Sequence, residues 1–180
     1  MTATIGNVTI ECVEGNITDQ PDMDAVVNAA NAELRPGGGV AGAIHHVAGP
    51  QLEQACRPLA PIRPGEAVLT AGFNLPNPHV IHCLGPVYGL DEPADELLAQ
   101  CYQQALELGE KHGLRSIAFP SISTGAFGYP MADAAQVAMK TITAAAPKLE
   151  NVRFVRFVLW GREALDRHQQ ALHVAASGSG

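Results

Sequence analysis

The chain has 180 residues, 47% of them apolar and 16% charged, and a formal net charge of −7. That is enough for one domain with a sizeable core, too little for two ordinary ones, and too apolar for a disordered chain. The acidic balance and the lack of a basic stripe argue against direct nucleic-acid binding, and no stretch approaches the ~18 apolar residues of a membrane span.

The N-terminus lacks an apolar signal-peptide core, so a cytoplasmic location is expected. The four cysteines, Cys12, Cys56, Cys83 and Cys101, are scattered without any Cys-x-x-Cys spacing. They read as reduced, buried small hydrophobes, and the spacing argues against a structural zinc.

Alternation over Thr4 to Val13 predicts a first strand with Val8, Ile10 and Cys12 on one face. Gly15-Asn16-Ile17-Thr18 turns the chain into a second strand, Asp24 to Asn28, whose run Ala25-Val26-Val27 suits a strand covered on both faces. Helix is predicted over Gly42 to Ala48 and, after Gly49-Pro50, over Gln51 to Arg57. Short strands follow at Ala67 to Thr70 and His79 to Leu84, separated by the turn-rich Asn74 to Pro78. Asp91 to His112 is the best helix, closed by Gly113. Ser116 to Phe119 reads as a buried strand and Met131 to Ala145 as a helix ended before Pro147. Val152 to Leu159 is a strand, and Arg162 to Ala175 a last helix. Alternating strands and helices predict an α/β sandwich on a mostly parallel sheet. Residues 1–175 are expected to form the domain and 176–180 a flexible tail.

Two glycine-rich loops stand out. The first, Gly37-Gly38-Gly39-Val40, follows an apolar strand and Asn28-Ala29-Ala30-Asn31 and opens a helix. The second, Ser121-Ile122-Ser123-Thr124-Gly125-Ala126-Phe127-Gly128-Tyr129, also lies between a strand and a helix. Free backbone N–H groups and the dipole at a helix start favour an anion, and two such loops on one sheet suggest a single crevice. Asn28 reads as structural, its amide tying down backbone groups. Asn16 reads equally as a turn cap or as a ligand contact. His45 and His46 point apart on a helix, and His79 and His82 lie on opposite faces of a strand, so neither pair forms a metal site.

The two loops, with Gly15-Asn16-Ile17-Thr18, Ile44-His45-His46-Val47-Ala48-Gly49-Pro50, Pro64-Gly65-Glu66-Ala67 and Val80-Ile81-His82-Cys83-Leu84-Gly85-Pro86, resemble the macrodomain family of ADP-ribose-binding modules. The likeness runs from about Val8 to about Ala171 and is to the MacroD-like and viral-like hydrolytic branch. It implies a three-layer α/β/α sandwich with a mixed, mostly parallel sheet. It also implies an enzyme, acting without metal or cofactor as a monomer, that removes mono-ADP-ribose from acidic side chains or cleaves O-acetyl-ADP-ribose. The alternative is a non-catalytic reader of ADP-ribose or ADP-ribosylated proteins.

By the same resemblance, Asn16 and Ile17 would meet the adenine, Asn16 standing where the family typically has Asp. Trp160 lies near where the family often places an aromatic over that ring. Asn31 would hold the distal ribose, while Ala29, Gly37, Gly38, Gly39 and Val40 would lie against it and the diphosphate. Ser123, Thr124, Gly125, Ala126 and Phe127 would clamp the diphosphate, with Phe127 over the ribose. The catalytic set would be Asn31, Gly39 and Phe127. His45 matches a family histidine near the ribose loop and is read as structural. Ala41 replaces the Asp of the best-known hydrolases, although other hydrolytic members, viral and archaeal, carry Ala.

Overall fold

A computed structural model describes residues 1–178. The strands are β1 (Thr2–Ile5), β2 (Val8–Glu14), β3 (Ala25–Ala29), β4 (Ala67–Ala71), β5 (His79–Cys83), β6 (Ser116–Phe119) and β7 (Phe154–Leu159). The helices are α1 (Gly39–Ala48), α2 (Pro50–Cys56), α3 (Ala94–Lys111), α4 (Met131–Ala145) and α5 (Arg162–Ser177). The strands form one sheet in the order β1-β2-β7-β6-β3-β5-β4. Its interior pairs are parallel, and only the two edge pairs, β1 with β2 and β4 with β5, are antiparallel.

The centre of the sheet follows from its sequence. Along β3, Ala25 and Val27 pack on one face while Val26 packs on the other, as the two-residue period of a strand requires. On the first face α3, α4 and α5 cover a core in which Tyr102, Phe119 and Phe157 stack with centroids 5.3 to 6.0 Å apart. On the second, Ile44 of α1 and Leu52 of α2 pack over Val26, Val80 and Val158. This is the mixed, mostly parallel sandwich that was expected. No helix among the described residues is long and apolar enough to cross a membrane.

Several boundaries differ from the sequence reading, β7 for instance beginning at Phe154 rather than Val152. The stretch Thr4 to Val13 is two strands, folded back at Gly6-Asn7 with Gly6 at φ 59° and Ile5 paired to Val8. Glycine takes that conformation without steric cost, and the turn interrupts an alternation that reads as continuous. Helix α1 starts at Gly39, three residues before the expected Gly42, with Gly39 itself at φ 57°. Helix α3 starts at Ala94 rather than Asp91, since Pro93 is extended at its N-cap (ψ 125°) and Asp91 instead accepts the Val87 N–H at 2.8 Å. Helix α5 continues through Ala176 and Ser177, where a tail was expected; the end of that tail, residues 179–180, lies outside the described residues.

Candidate functional site

Strands β6, β3 and β5 are parallel neighbours, so their carboxyl ends deliver three loops to the same edge of the sheet. Between them lies a crevice of about 350 Å³ lined by Ala29, Ala30, Asn31, Gly37, Gly38, Gly39, Val40, Ala41, Gly85, Ser121, Ile122, Ser123, Gly125, Ala126 and Phe127. A larger cavity, about 660 Å³, sits on the outer surface between α4 and α5, away from all three loops.

One wall is the start of α1. Gly39 is at φ 57°, and a side chain there or at Gly38 would project into open space. No side chain caps the helix, and no acidic residue occupies its first turn. Its leading N–H groups therefore face the crevice with the positive end of the dipole unneutralised. Gly42 sets the depth of the loop: a β-carbon there would collide with the Gly37 carbonyl oxygen.

The opposite wall is the loop after β6. It is closed by Tyr129 N donating to Ser123 O at 2.9 Å and Gly128 N donating to Gly125 O at 3.0 Å. The Thr124 hydroxyl donates to Ser121 O at 3.0 Å. The N–H groups of Thr124, Gly125, Ala126 and Phe127 have no backbone acceptor among the described residues. Consecutive unpaired donors of this kind form an anion nest. Ser123 is held at φ 67°, is 6% exposed, and its hydroxyl has no partner among the described residues. It packs where a β-carbon on Gly85 would otherwise be.

Asn31 lines the crevice with its amide clasped to its own loop. Its Nδ2 donates to Arg35 O at 2.8 Å, and its Oδ1 accepts the Arg35 N–H at 3.0 Å. Below it, Asn28 is buried, with Nδ2 3.1 Å from Nδ1 of His82. The amide N–H donates to that nitrogen, so the His82 proton sits on Nε2, 2.9 Å from the Thr70 hydroxyl. Burial, then neighbouring His45, pushes His82 down to about 3, which keeps the ring neutral. His45 is itself buried, and its pKa is lowered chiefly by desolvation. Among the described residues, no group of three His, Cys, Asp or Glu could hold a metal. All four cysteines are free and buried, and burial raises each thiol, Cys12 and Cys101 to about 12 and Cys56 to about 11.

The expected ligand residues thus divide. Ala29, Asn31, Gly37, Gly38, Gly39, Val40, Ser123, Gly125, Ala126 and Phe127 line the crevice; Asn16, Ile17 and Thr124 do not. The Asn16 side-chain oxygen accepts both the N–H and the hydroxyl of Thr18, at 2.9 and 2.8 Å, which is the turn-capping geometry. Ile17 is buried in the α1/α2 core. Thr124 turns its hydroxyl back on Ser121. Asn16 nevertheless stands beside the exposed Trp160, because Gly15 N donates to Leu159 O at 3.0 Å across β2 and β7.

Sequence reasoning passed over Ala30, Gly85, Ser121 and Ile122 as lining residues. The glycine of Leu84-Gly85-Pro86, following an apolar strand, was the available signal for the third loop.

The family described as Macro domain matches residues 27–138. A Macro domain-containing protein of Chlorobaculum tepidum is 46% identical over 167 residues, covering 92% of this chain and 96% of its own. The solved structure of the Oceanobacillus iheyensis macrodomain with ADP is similar at a TM-score of 0.94 and 40% identity, covering 99% of this chain and 97% of that one. The Trypanosoma brucei macrodomain in complex with ADP-ribose is similar at 0.85 and 36%, covering 91% of this chain and 68% of that one. With the fold shared end to end and the sequence nearly half identical, the chain belongs to the Macro domain family.

Proposed function

We propose that the crevice binds ADP-ribose and that the protein hydrolyses mono-ADP-ribosyl esters on acidic protein side chains, or O-acetyl-ADP-ribose. The observation that carries this reading is the pair of unpaired N–H sets, at the start of α1 and along residues 125–127, on two walls of one cleft. In a chain of net charge −7, only such local donors could hold a diphosphate. The ligand would then run along the sheet edge. Its adenine would lie towards Asn16 and Trp160, roughly 15 Å from β3 by strand spacing, and its distal ribose beside Asn31. Asn31 would orient the ribose hydroxyls, and, for an ADP-ribosyl ester of an acidic side chain, Gly39 and Phe127 would hold a water against the anomeric carbon. The substrate's own phosphate would take up the water's proton, and the carboxylate would leave. Orientation of this kind supplies several kcal/mol without a protein base.

A second reading, a reader that binds ADP-ribose without cleaving it, rests on Ala41. This residue is 5% exposed and lines the crevice, and its methyl group cannot activate water.

Calorimetric titration with ADP-ribose, AMP and NAD tests the binding site, and equal affinity for all three would refute the two-loop arrangement. Release of ADP-ribose from a glutamate-linked mono-ADP-ribosylated protein, with Asn31→Ala alongside, separates the two readings. Release that vanishes in the variant identifies a hydrolase, and tight binding without release identifies a reader. The domain is expected to act as a monomer on cytoplasmic ADP-ribosylated proteins.

A further inference from the structure

Behind the second loop lies a separate cleft of about 360 Å³, lined by Tyr88, Asp95, Tyr129, Asp133, Gln136, Val137 and Lys140. Its aromatic wall is anchored to the crevice. Tyr88 N donates to Phe127 O at 2.8 Å, and Tyr129 N to Ser123 O at 2.9 Å, so both tyrosines hang from the loop whose other side lines the crevice.

The two rings lie 4.8 Å apart, with Tyr88 48% exposed and Tyr129 only 5%. The Tyr129 ring is buried, yet its hydroxyl makes no hydrogen bond among the described residues and borders the cleft. Asp95 and Asp133, from the first turns of α3 and α4, face it from two helices, and neither joins an ion pair among the described residues. Burial raises the Tyr129 pKa first, and Asp95, Tyr88, Asp133 and Glu92 raise it further, which places that negative field on its hydroxyl. Lys140 is the cation of the lining; it also lines the groove between α4 and α5.

An exposed ring face, an unpaired phenol and two carboxylates outside any ion pair, one of them also accepting the Glu96 N–H at 3.0 Å, are complementary to a guanidinium or ammonium group, through cation–π contact and charge-assisted hydrogen bonds. We propose that this cleft receives an arginine or lysine side chain of the ADP-ribosylated protein, so that modified segments with a basic residue beside the modified position are favoured. The inference rests on the ADP-ribose reading of the crevice.

The test is calorimetry with two peptides carrying ADP-ribose through a hydrolysis-resistant linkage. They are identical except for Arg or Ala near the modified position, in a set that moves the varied residue from one to four places away on either side. At one spacing the Arg peptide should bind about five- to tenfold more tightly. Tyr88→Ala and Asp133→Asn should each reduce the preference to about twofold or less, while Tyr88→Phe should keep it. Free ADP-ribose should bind all four proteins equally, and circular dichroism should show all four folded. Equal affinity for Arg and Ala peptides at every spacing, or a preference that survives both Tyr88→Ala and Asp133→Asn, would overturn the proposal. A wild-type protein that fails to bind free ADP-ribose would overturn the reading beneath it; free ADP-ribose bound without any peptide preference would overturn the cleft alone.

Discussion

Ser123 gives the sharpest quantitative expectation. A non-glycine residue in the left-handed region costs about 1–2 kcal/mol, and Ser123 is held there at φ 67°. Its buried hydroxyl has no partner among the described residues, which adds about 1 kcal/mol of desolvation at the low end of the range. Ser123→Gly removes both penalties and gives back about 1 kcal/mol through the greater freedom of glycine in the unfolded chain. The net expectation is a protein more stable by about 1–2 kcal/mol, with a Tm raised by about 2–6 °C for a domain of this size. The same change removes a hydroxyl from the crevice wall and loosens the nest it precedes, so affinity for ADP-ribose should fall about tenfold, worth 1.4 kcal/mol. Thermal unfolding by circular dichroism and calorimetric titration on the same samples measure both effects. A Tm that falls, or a stabilised protein whose affinity is unchanged, would refute the view that Ser123 is strained for the sake of the ligand.

Other expectations follow from the same geometry. Gly42→Ala drives a methyl group into the Gly37 carbonyl, so the first loop must shift, and ADP-ribose affinity should drop by about tenfold or more by calorimetry. Ala41→Asp places a carboxylate at the uncapped start of α1, where the dipole stabilises it. Release of ADP-ribose from a glutamate-linked substrate should rise by about a hundredfold, the lower end for an added acid–base group; an unchanged rate would show that a missing carboxylate does not limit turnover. For His82, a pKa pushed down to about 3 by burial means that the unfolded chain binds a proton the folded one refuses. Stability is then complete above about pH 6.5 and declines as pH falls towards 3, by about 2–3 kcal/mol at pH 4.5. Urea unfolding of wild type and His82→Gln at both pH values isolates this from the carboxylates, and equal pH dependence in the two proteins would refute it.

Most of the architecture could be read from periodicity. The run Ala25-Val26-Val27 lies within β3 and α4 spans the expected Met131 to Ala145, because burial there leaves few alternatives, while α3 keeps its helical spacing but starts three residues late. The boundaries that failed involve single residues acting in three dimensions. Gly6 and Pro93 each decide where an element ends through one backbone angle, which a window of apolar residues averages away. At the site, glycine-rich loops after strands are a local signal, so most of the lining was legible. Asn16 was ambiguous because one oxygen serves a turn or a ligand equally well, and the fold commits it to Thr18. The contact of Gly85 with Ser123, and the bond from Asn28 to His82 across 54 residues, arise only when strands distant in sequence become neighbours.

The clasp between Asn31 and Arg35 bears on how a ligand would be received. Each end of the amide already makes one bond to the backbone, yet the group can make four. One hydrogen and one lone pair remain for ribose hydroxyls, in directions fixed before anything arrives. Association would then add bonds without spending rotamer freedom on this side chain, which would otherwise cost about 0.5–1.5 kcal/mol. Asn31→Ala should therefore cost more than two lost hydrogen bonds. It would also release the loop that holds the glycines, and the binding entropy would become less favourable along with the enthalpy.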